Sequence, residues 1–382
     1  MTGDKMAGIT IRQVRDARDR KAFLDLPFRL YANDPAWVPP LYVERDDHLT
    51  KNPFFQHAEA QLFLAERDGQ VVGRISAQID RLHLERYNDA TGQFGFIEAE
   101  DDPAIFAALF AAAESWLKAR GMKRVQGPFS FSINEETGLL IDGFNTPPYI
   151  MMGHAKPFYD ARVQAQGFAK AKDVIAYEYD LKTPMPRAIT RMIEKNKASG
   201  KLKLRPMSKK HLARDLEIII SIFNDAWSEN WNFVPMTDAE VKALGQVLKW
   251  LVTEGHIAIA EYEGEAAAMI VTLPDINGWI HDLSGKLLPF NWAKLLWRVL
   301  FTPEKGFRVP LMGVRKAYRS TAAGAILAFA VIDTVHEYHR KRGTFMSELS
   351  WILEDNMPMR RIIEALGGVP YKTYRIYEKA IA

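Results

Sequence analysis

Phe307–Asn356 reads FRVPLMGVRKAYRSTAAGAILAFAVIDTVHEYHRKRGTFMSELSWILEDN. A β-type run, Arg308–Val314, leads into three cations, Arg315, Lys316 and Arg319. A turn of small residues follows, Ser320, Thr321, Ala322, Ala323, Gly324 and Ala325, and then apolar residues at helical spacing to about Arg342. A second strand, Thr344–Trp351, closes the unit. Strand, tight turn and helix in that order make an anion site, because the unpaired N–H groups and the positive dipole end of the helix face whatever the turn lets approach.

This unit is the end of a longer succession. Leu202–Pro206 is expected to be a strand, Lys210–Trp227 and Asp238–Thr253 helices, and Ile257–Tyr262 with Ala266–Leu273 a hairpin around Glu263–Glu265. Met359–Leu366 and Tyr371–Lys379 add a helix and a last strand. The first half repeats the order. It has a strand at Ile9–Val14, a hairpin of Gln61–Glu66 with Val71–Ile79 and a strand at Phe94–Ala99. A helix follows, opening at Pro103 and stopping before Gly121, then a strand at Arg124–Ile133, a short helix at Phe158–Gly167 and a strand at Asp173–Leu181. The period suggests two domains, 1–181 and 201–382, joined by a linker at 182–200 that carries Pro184 and Pro186.

Composition sets limits on the function. The 382 residues are 48% hydrophobic, 25% charged and 11% aromatic, a globular composition rather than a disordered or fibrous one. A net charge of +3, with basic and acidic residues interspersed, is too small for a nucleic-acid partner. No cysteine is present, which excludes a disulfide framework, a thiolate metal site and a cysteine nucleophile, and no acidic metal box appears, so no metal is expected. The charged N-terminus lacks a signal-peptide core and no run reaches the roughly 20 apolar residues of a membrane span, so a cytoplasmic protein is expected.

Two helices, a hairpin, then strand, helix, strand, helix, strand resembles the GNAT acyltransferase superfamily, twice over. The phosphate-loop pattern of that family, Arg or Gln, two residues, Gly, one residue, Gly or Ala, is met by Arg319, Ala322 and Gly324. Ala322 in the place of the first glycine is a departure that narrows the room for the backbone. At the equivalent turn of the first half stands Glu98–Pro103, EAEDDP, whose carboxylates would repel a phosphate. Asn33–Pro40, Asn52–Phe55, Phe63–Arg74 and Tyr371–Lys379 are further similar to a bacterial double-GNAT family that includes ceramide synthases. The resemblance covers nearly the whole chain. It implies an α/β fold with a mixed sheet, built as tandem GNAT-like acyl-CoA N-acyltransferase domains with the acyl-CoA site in the second.

The resemblance implies a reaction: an amine attacks the thioester of a long-chain acyl-CoA and CoA thiolate leaves. The acceptor is a lipid amine, a sphingoid base or its 3-keto form. Acyl-CoA is a co-substrate, and no permanently bound cofactor is expected. Gly313 and Val314 would bond the pantetheine; Arg315, Lys316, Arg319 and the turn Ser320–Ala325 would hold the phosphates. Catalytic candidates are Glu348, read either as a base or as a solvent-facing strand residue, and Asn356, whose other reading is a helix cap. Glu229 in the Glu229–Asn232 loop joins them, with Asn134, Glu135 and His154 from the first half. The helix tyrosine that many GNAT enzymes use as an acid is replaced by Met357–Arg361.

Residues Trp279–Phe307 have no counterpart in a minimal GNAT domain. Leu287, Leu288, Trp292, Leu295, Leu296, Val299 and Leu300 recur at helical spacing around Lys294 and Arg298, which suits a core helix, the wall of an acyl pocket or a membrane-surface helix. Trp231, Trp279, Trp292 and Trp297 are the substrate-binding candidates. Alternative readings are acetylation of a small polar amine or a protein N-terminus, which needs no such insertion, and a Fem-type transfer from aminoacyl-tRNA, which needs a more basic surface. A non-catalytic acyl-CoA-binding or membrane-associated scaffold is the reading from another class.

Overall fold

Alternating apolar residues and a two-residue Asp68–Gly69 turn, both at positive φ, fold Ala58–Arg67 (β2) and Gln70–Asp80 (β3) into the long hairpin that organises the first half. The computed structural model describes residues 8–381. The first seven residues, part of the N-terminus read as lacking a signal, lie outside them. Ahead of the hairpin come β1 (Ile9–Gln13), α1 (Ala17–Leu30) and α2 (Tyr42–Lys51). After it follow α3 (Arg81–Tyr87), β4 (Thr91–Ala99), α4 (Pro103–Lys118), β5 (Arg124–Gly127), β6 (Phe129–Ser130), β7 (Glu136–Thr137), β8 (Leu139–Asp142), α5 (Tyr159–Gln164) and β9 (Ala169–Asp180).

The remaining elements are α6 (Arg187–Ala198), β10 (Leu202–Pro206), α7 (Leu212–Trp227), α8 (Asp238–Leu251), β11 (Ile257–Tyr262), β12 (Glu265–Pro274), α9 (Ile276–Ile280) and α10 (Asn291–Phe301). They end with β13 (Gly306–Val314), α11 (Lys316–Arg319), α12 (Ala322–Lys341), β14 (Met346–Leu353), α13 (Met357–Ala365) and β15 (Val369–Ala380). The mixed α/β class is as expected.

Two compact units result, and they are not two contiguous stretches. The first takes the chain as far as Ile175, Trp279–Leu296, and everything from Lys372 on. Its strands run β1-β2-β3-β4-β5, antiparallel except that β4 and β5 pair in parallel over Thr91–Gln93 and Arg124–Gln126. The C-terminal half of β15 pairs with β5, Tyr377 opposite Gly127 and Ala380 opposite Arg124. Asp102 caps α4, which buries Phe106, Leu109, Phe110 and Leu117. The expected strand Arg124–Ile133 is interrupted after Gly127, where Pro128 has no N–H for the ladder.

The second unit holds Ala176–Gly278 and Trp297–Tyr371. Its sheet runs from the end of β9 through β14, β13, β12 and β11 to β10. Helix α12 lays Leu327, Val331 and Val335, one turn apart, on the sheet residues Ala258, Ala260, Ala268 and Ile270. Helix α7 buries Ile219, Ile222, Phe223 and Ala226 and packs on β12 and β13. The stretch read as a linker contains α6, whose Ile193 is buried in the same core as α12. No residue of α10 is buried, so the reading as a core-packed helix does not hold.

Candidate functional site

The site starts from a ladder that stops early. Strands β13 and β14 pair in parallel from Gly306 opposite Met346 to Val309 opposite Leu349, and no further. Both strands continue, β13 to Val314 and β14 to Leu353, so they part beyond Pro310, and the β14-facing edge of β13 is left open. The other edge is occupied, with Met312 opposite Ile270 and Gly313 opposite Met269. Gly313 and Val314 therefore lie on the parted segment. Trp227 of α7 donates its indole N–H to the Met312 carbonyl at 3.0 Å, and its ring meets Trp351 of β14 at 5.8 Å between centroids.

Beyond Val314 the chain turns through α11 into α12. Thr321 caps α12, its hydroxyl accepting from the Gly324 N–H at 3.2 Å. A Cβ on Gly324 would run into the Tyr318 carbonyl, so glycine is what lets the turn close. Ser320 and Ala322 are exposed, Ala323 is half-buried and Ala325 is exposed, leaving the mouth of the helix accessible. Lys316 Nζ lies 2.8 Å from Glu229, and Arg319 lies 3.5 Å from the same carboxylate while also donating to the Ala226 carbonyl. Glu229 is thus placed against the cations of the turn, which hold its carboxyl below the ordinary range, Lys316 contributing most. Arg315 points elsewhere, to the Ala266 carbonyl at 2.7 Å and the Ser221 hydroxyl at 2.9 Å.

Glu348 faces inward. Fully buried on β14, it accepts from Ser350 Oγ and from the Tyr371 hydroxyl, and lies 3.6 Å from buried Arg308, its register partner on β13. Arg308 also donates to Ser350 Oγ at 2.8 Å. The solvent-facing reading of Glu348 is excluded by its burial. Asn356 is the N-cap of α13, its side chain accepting from the Met359 N–H. Where the helix tyrosine would stand, Arg360 donates to Tyr177 at 2.8 Å. Trp231 lies in the turn after α7, half-buried; Trp279 is buried on α9; Trp292 and Trp297 are exposed on α10.

The first unit shows the same early parting of its parallel pair, after Gln93 and Gln126. Its turn into α4 is acidic, and each carboxylate has a cation or hydroxyl: Asp102 has Arg67, Asp101 has Arg162, Glu100 has Arg29, and Glu98 accepts from Tyr31 and Tyr159. Burial pushes the Glu98 carboxyl up, against the pull of Arg74. Arg74 is itself lowered by burial, and its guanidinium stacks over Phe23 at 4.7 Å. Glu136 sits on Arg45, which outweighs burial and lowers its carboxyl. Glu135 holds a turn, accepting from Phe131 N–H at 2.7 Å, Ser132 N–H at 3.2 Å and Asn52 at 2.7 Å, and the Asn134 N–H bonds the Ser132 hydroxyl. His154, half-buried, meets Asp34 at 3.1 Å, and desolvation lowers its pKa.

One further cluster could hold a metal: His256, Glu304 and His339, all buried, offer donor atoms within 4.8 Å of one another. Their hydrogen bonds assign protons there instead. Thr272 donates its single hydroxyl proton to the His256 carbonyl at 2.8 Å, so it accepts from His339 Nε2–H at 2.9 Å. His256 Nδ1 accepts from the Thr253 N–H, which leaves its proton on Nε2, facing Glu304. His339 Nδ1 lies 2.9 Å from Glu304, and burial lowers the His339 pKa. These bonds outweigh burial and hold Glu304 down at about 2.

Arg308, Ser350, Tyr371, Trp227 and the Glu98–Arg74–Glu136–Arg45 cluster were not foreseen as site residues. The signal for the first was present, a lone arginine in an otherwise apolar strand.

No protein-family model matches the chain. It is 46% identical over 378 residues to a protein of Caulobacter vibrioides named "Bacterial ceramide synthase", covering 98% of each chain. It is 45% identical over 376 residues to "Protein YghO" of Escherichia coli, covering 97% of this chain and 95% of that one. The tandem GNAT protein of the clavulanic acid biosynthesis pathway has the same fold, with a TM-score of 0.57 at 14% identity over 98% of this chain and 99% of the other. The early-parting strands, the turn into α12 and these likenesses agree, and the chain belongs to the tandem GNAT acyltransferase family that includes the bacterial ceramide synthase of Caulobacter vibrioides.

Proposed function

We propose that the second unit binds a long-chain acyl-CoA and transfers its acyl group to the amine of a sphingoid base or its 3-keto form, giving an amide. The observation that carries this reading is the parted β13/β14 pair opening beside the N-terminus of α12. Phosphates take the α12 mouth, where Lys316 and Arg319 exchange Glu229 for the ligand. The open β14-facing edge of β13, through Val314 with Gly313 beside it bonded toward β12, offers backbone groups to the pantetheine, as a neighbouring strand would. The thioester then lies near Trp227 and Trp351. Attack by the neutral amine on its carbonyl forms the C–N bond, breaks the C–S bond and releases CoA as thiolate, which takes up the proton the amine loses. Glu348, saturated by Ser350, Tyr371 and Arg308, acts in this reading by holding β14 against β13. The acidic turn of the first unit keeps phosphate away, so one acyl-CoA binds per chain.

Incubation with acyl-CoAs of graded length and sphinganine or 3-ketosphinganine tests the reaction. Thiol release that rises with acyl length supports it, and absence of release with every long-chain amine rejects it. Arg319→Glu is expected to weaken CoA binding by roughly ten- to a hundredfold in calorimetry; unchanged affinity would reject the loop.

A further inference from the structure

Helix α10 is built inside out. At about 100° per residue, Trp292, Leu296, Trp297, Val299, Leu300 and Phe301 cover a continuous arc of roughly 200°. All six are exposed, from 38% at Val299 to 64% at Phe301. Leu288 and Phe290, in the turn before it, are 76% and 77% exposed and extend the apolar surface. The half-buried side carries Asn291, Leu295 and Arg298, with Lys294 at its margin on Asp282, 2.7 Å away. Exposed apolar area of this extent requires a cover.

Both ends of the helix are held. Before it, Asn291 donates to the Leu283 and Lys286 carbonyls, and the Gly285 carbonyl accepts from the Tyr42 N–H at 2.8 Å. After it, Glu304 is locked to His256 and His339.

We propose that residues 286–301 dock on the surface of an anionic lipid bilayer, with the arc among the acyl chains and the indoles at headgroup depth. The charges select this occupant. Between Leu283 and Pro303 there is no acidic residue, while Lys286, Arg298 and Lys294, the last on Asp282, lie in the same stretch. That pattern attracts anionic headgroups. A twofold pairing with a second copy would instead bring these cations against their own images. The inference goes beyond the proposed acyl transfer and does not depend on it.

The test is co-sedimentation of the full chain, without substrate, with phosphatidylcholine vesicles that contain or lack phosphatidylglycerol. Binding is expected to need phosphatidylglycerol and to fall with salt. Leu296→Glu combined with Leu300→Glu is expected to weaken it at least about a hundredfold, with the unfolding midpoint and CoA affinity unchanged. Should that pair fail to fold, Trp292→Ala with Trp297→Ala replaces it, with a loss of about tenfold expected. Two results would overturn the proposal: equal binding by wild type and variant, or a wild-type dimer that the variant dissociates without any vesicle binding. Because CoA affinity is read separately, loss of the acyl-transfer reading and loss of this one are distinct outcomes.

Discussion

Glu348 and Glu304 show how two carboxylates in one unit are kept buried by different means. Glu348 is held by a guanidinium and two hydroxyls, so Glu348→Ala removes the carboxylate that faces buried Arg308 and the acceptor of both hydroxyls. A loss of about 3–5 kcal/mol is expected, measured by denaturant unfolding, with Glu348→Gln much milder because its amide still accepts from Tyr371. A true catalytic base would give the opposite pattern, activity lost in Glu348→Gln with stability kept. Glu304 is held by two imidazoles, and its pKa falls from 4.5 to about 2. A depressed carboxyl stabilises the fold above its unfolded pKa, and that contribution is lost as pH drops through the folded value. Unfolding midpoints should therefore decline between about pH 4.5 and 2. Glu304→Gln should start lower and lose this part of the decline.

At the scale of elements, the turn into α12 depends on Gly324, since any Cβ meets the Tyr318 carbonyl. Gly324→Val is expected to cost about 1–3 kcal/mol and to abolish measurable CoA binding in calorimetry, by displacing the first turn. An unchanged titration would show that the turn tolerates the side chain. Helix α12 was legible because Leu327, Val331 and Val335 fall on one stripe between a cap and Gly343. Helix α1 was not, since Pro27 interrupts a heavily charged stretch, yet Phe23, Leu24 and Leu26 are buried there. Helix α6 was hidden in the same way, by prolines and lysines around a single buried Ile193.

Over the whole molecule, the last strand is the least local feature. Residues from Lys372 on belong to the first compact unit, where β15 completes the ladder of β5 and of β8, and Arg375 pairs with Asp173 at 2.8 and 2.9 Å. A chain ended after Tyr371 leaves β5 with an open edge and Asp173 without that partner. Hydrogen exchange is expected to show protection lost along β5 and β8, while α12 and β11 keep theirs. Equal protection in both forms would show that the first unit holds without its C-terminal strand.

The repeated order of strands and helices, the cation-rich turn at Arg319–Gly324 and the acidic turn that answers it at Glu98–Pro103 are legible in the chain alone. These are local patterns, set by periodicity, caps and charge within a few residues. Where β13 leaves β14, how Glu348 meets Arg308, how Glu229 lies on Lys316 and Arg319, and how α10 turns its apolar arc outward are set by the folded chain. Each of these depends on a partner or a surface distant along the chain, and a sequence pattern records which residues are apolar or charged but not which neighbour covers them.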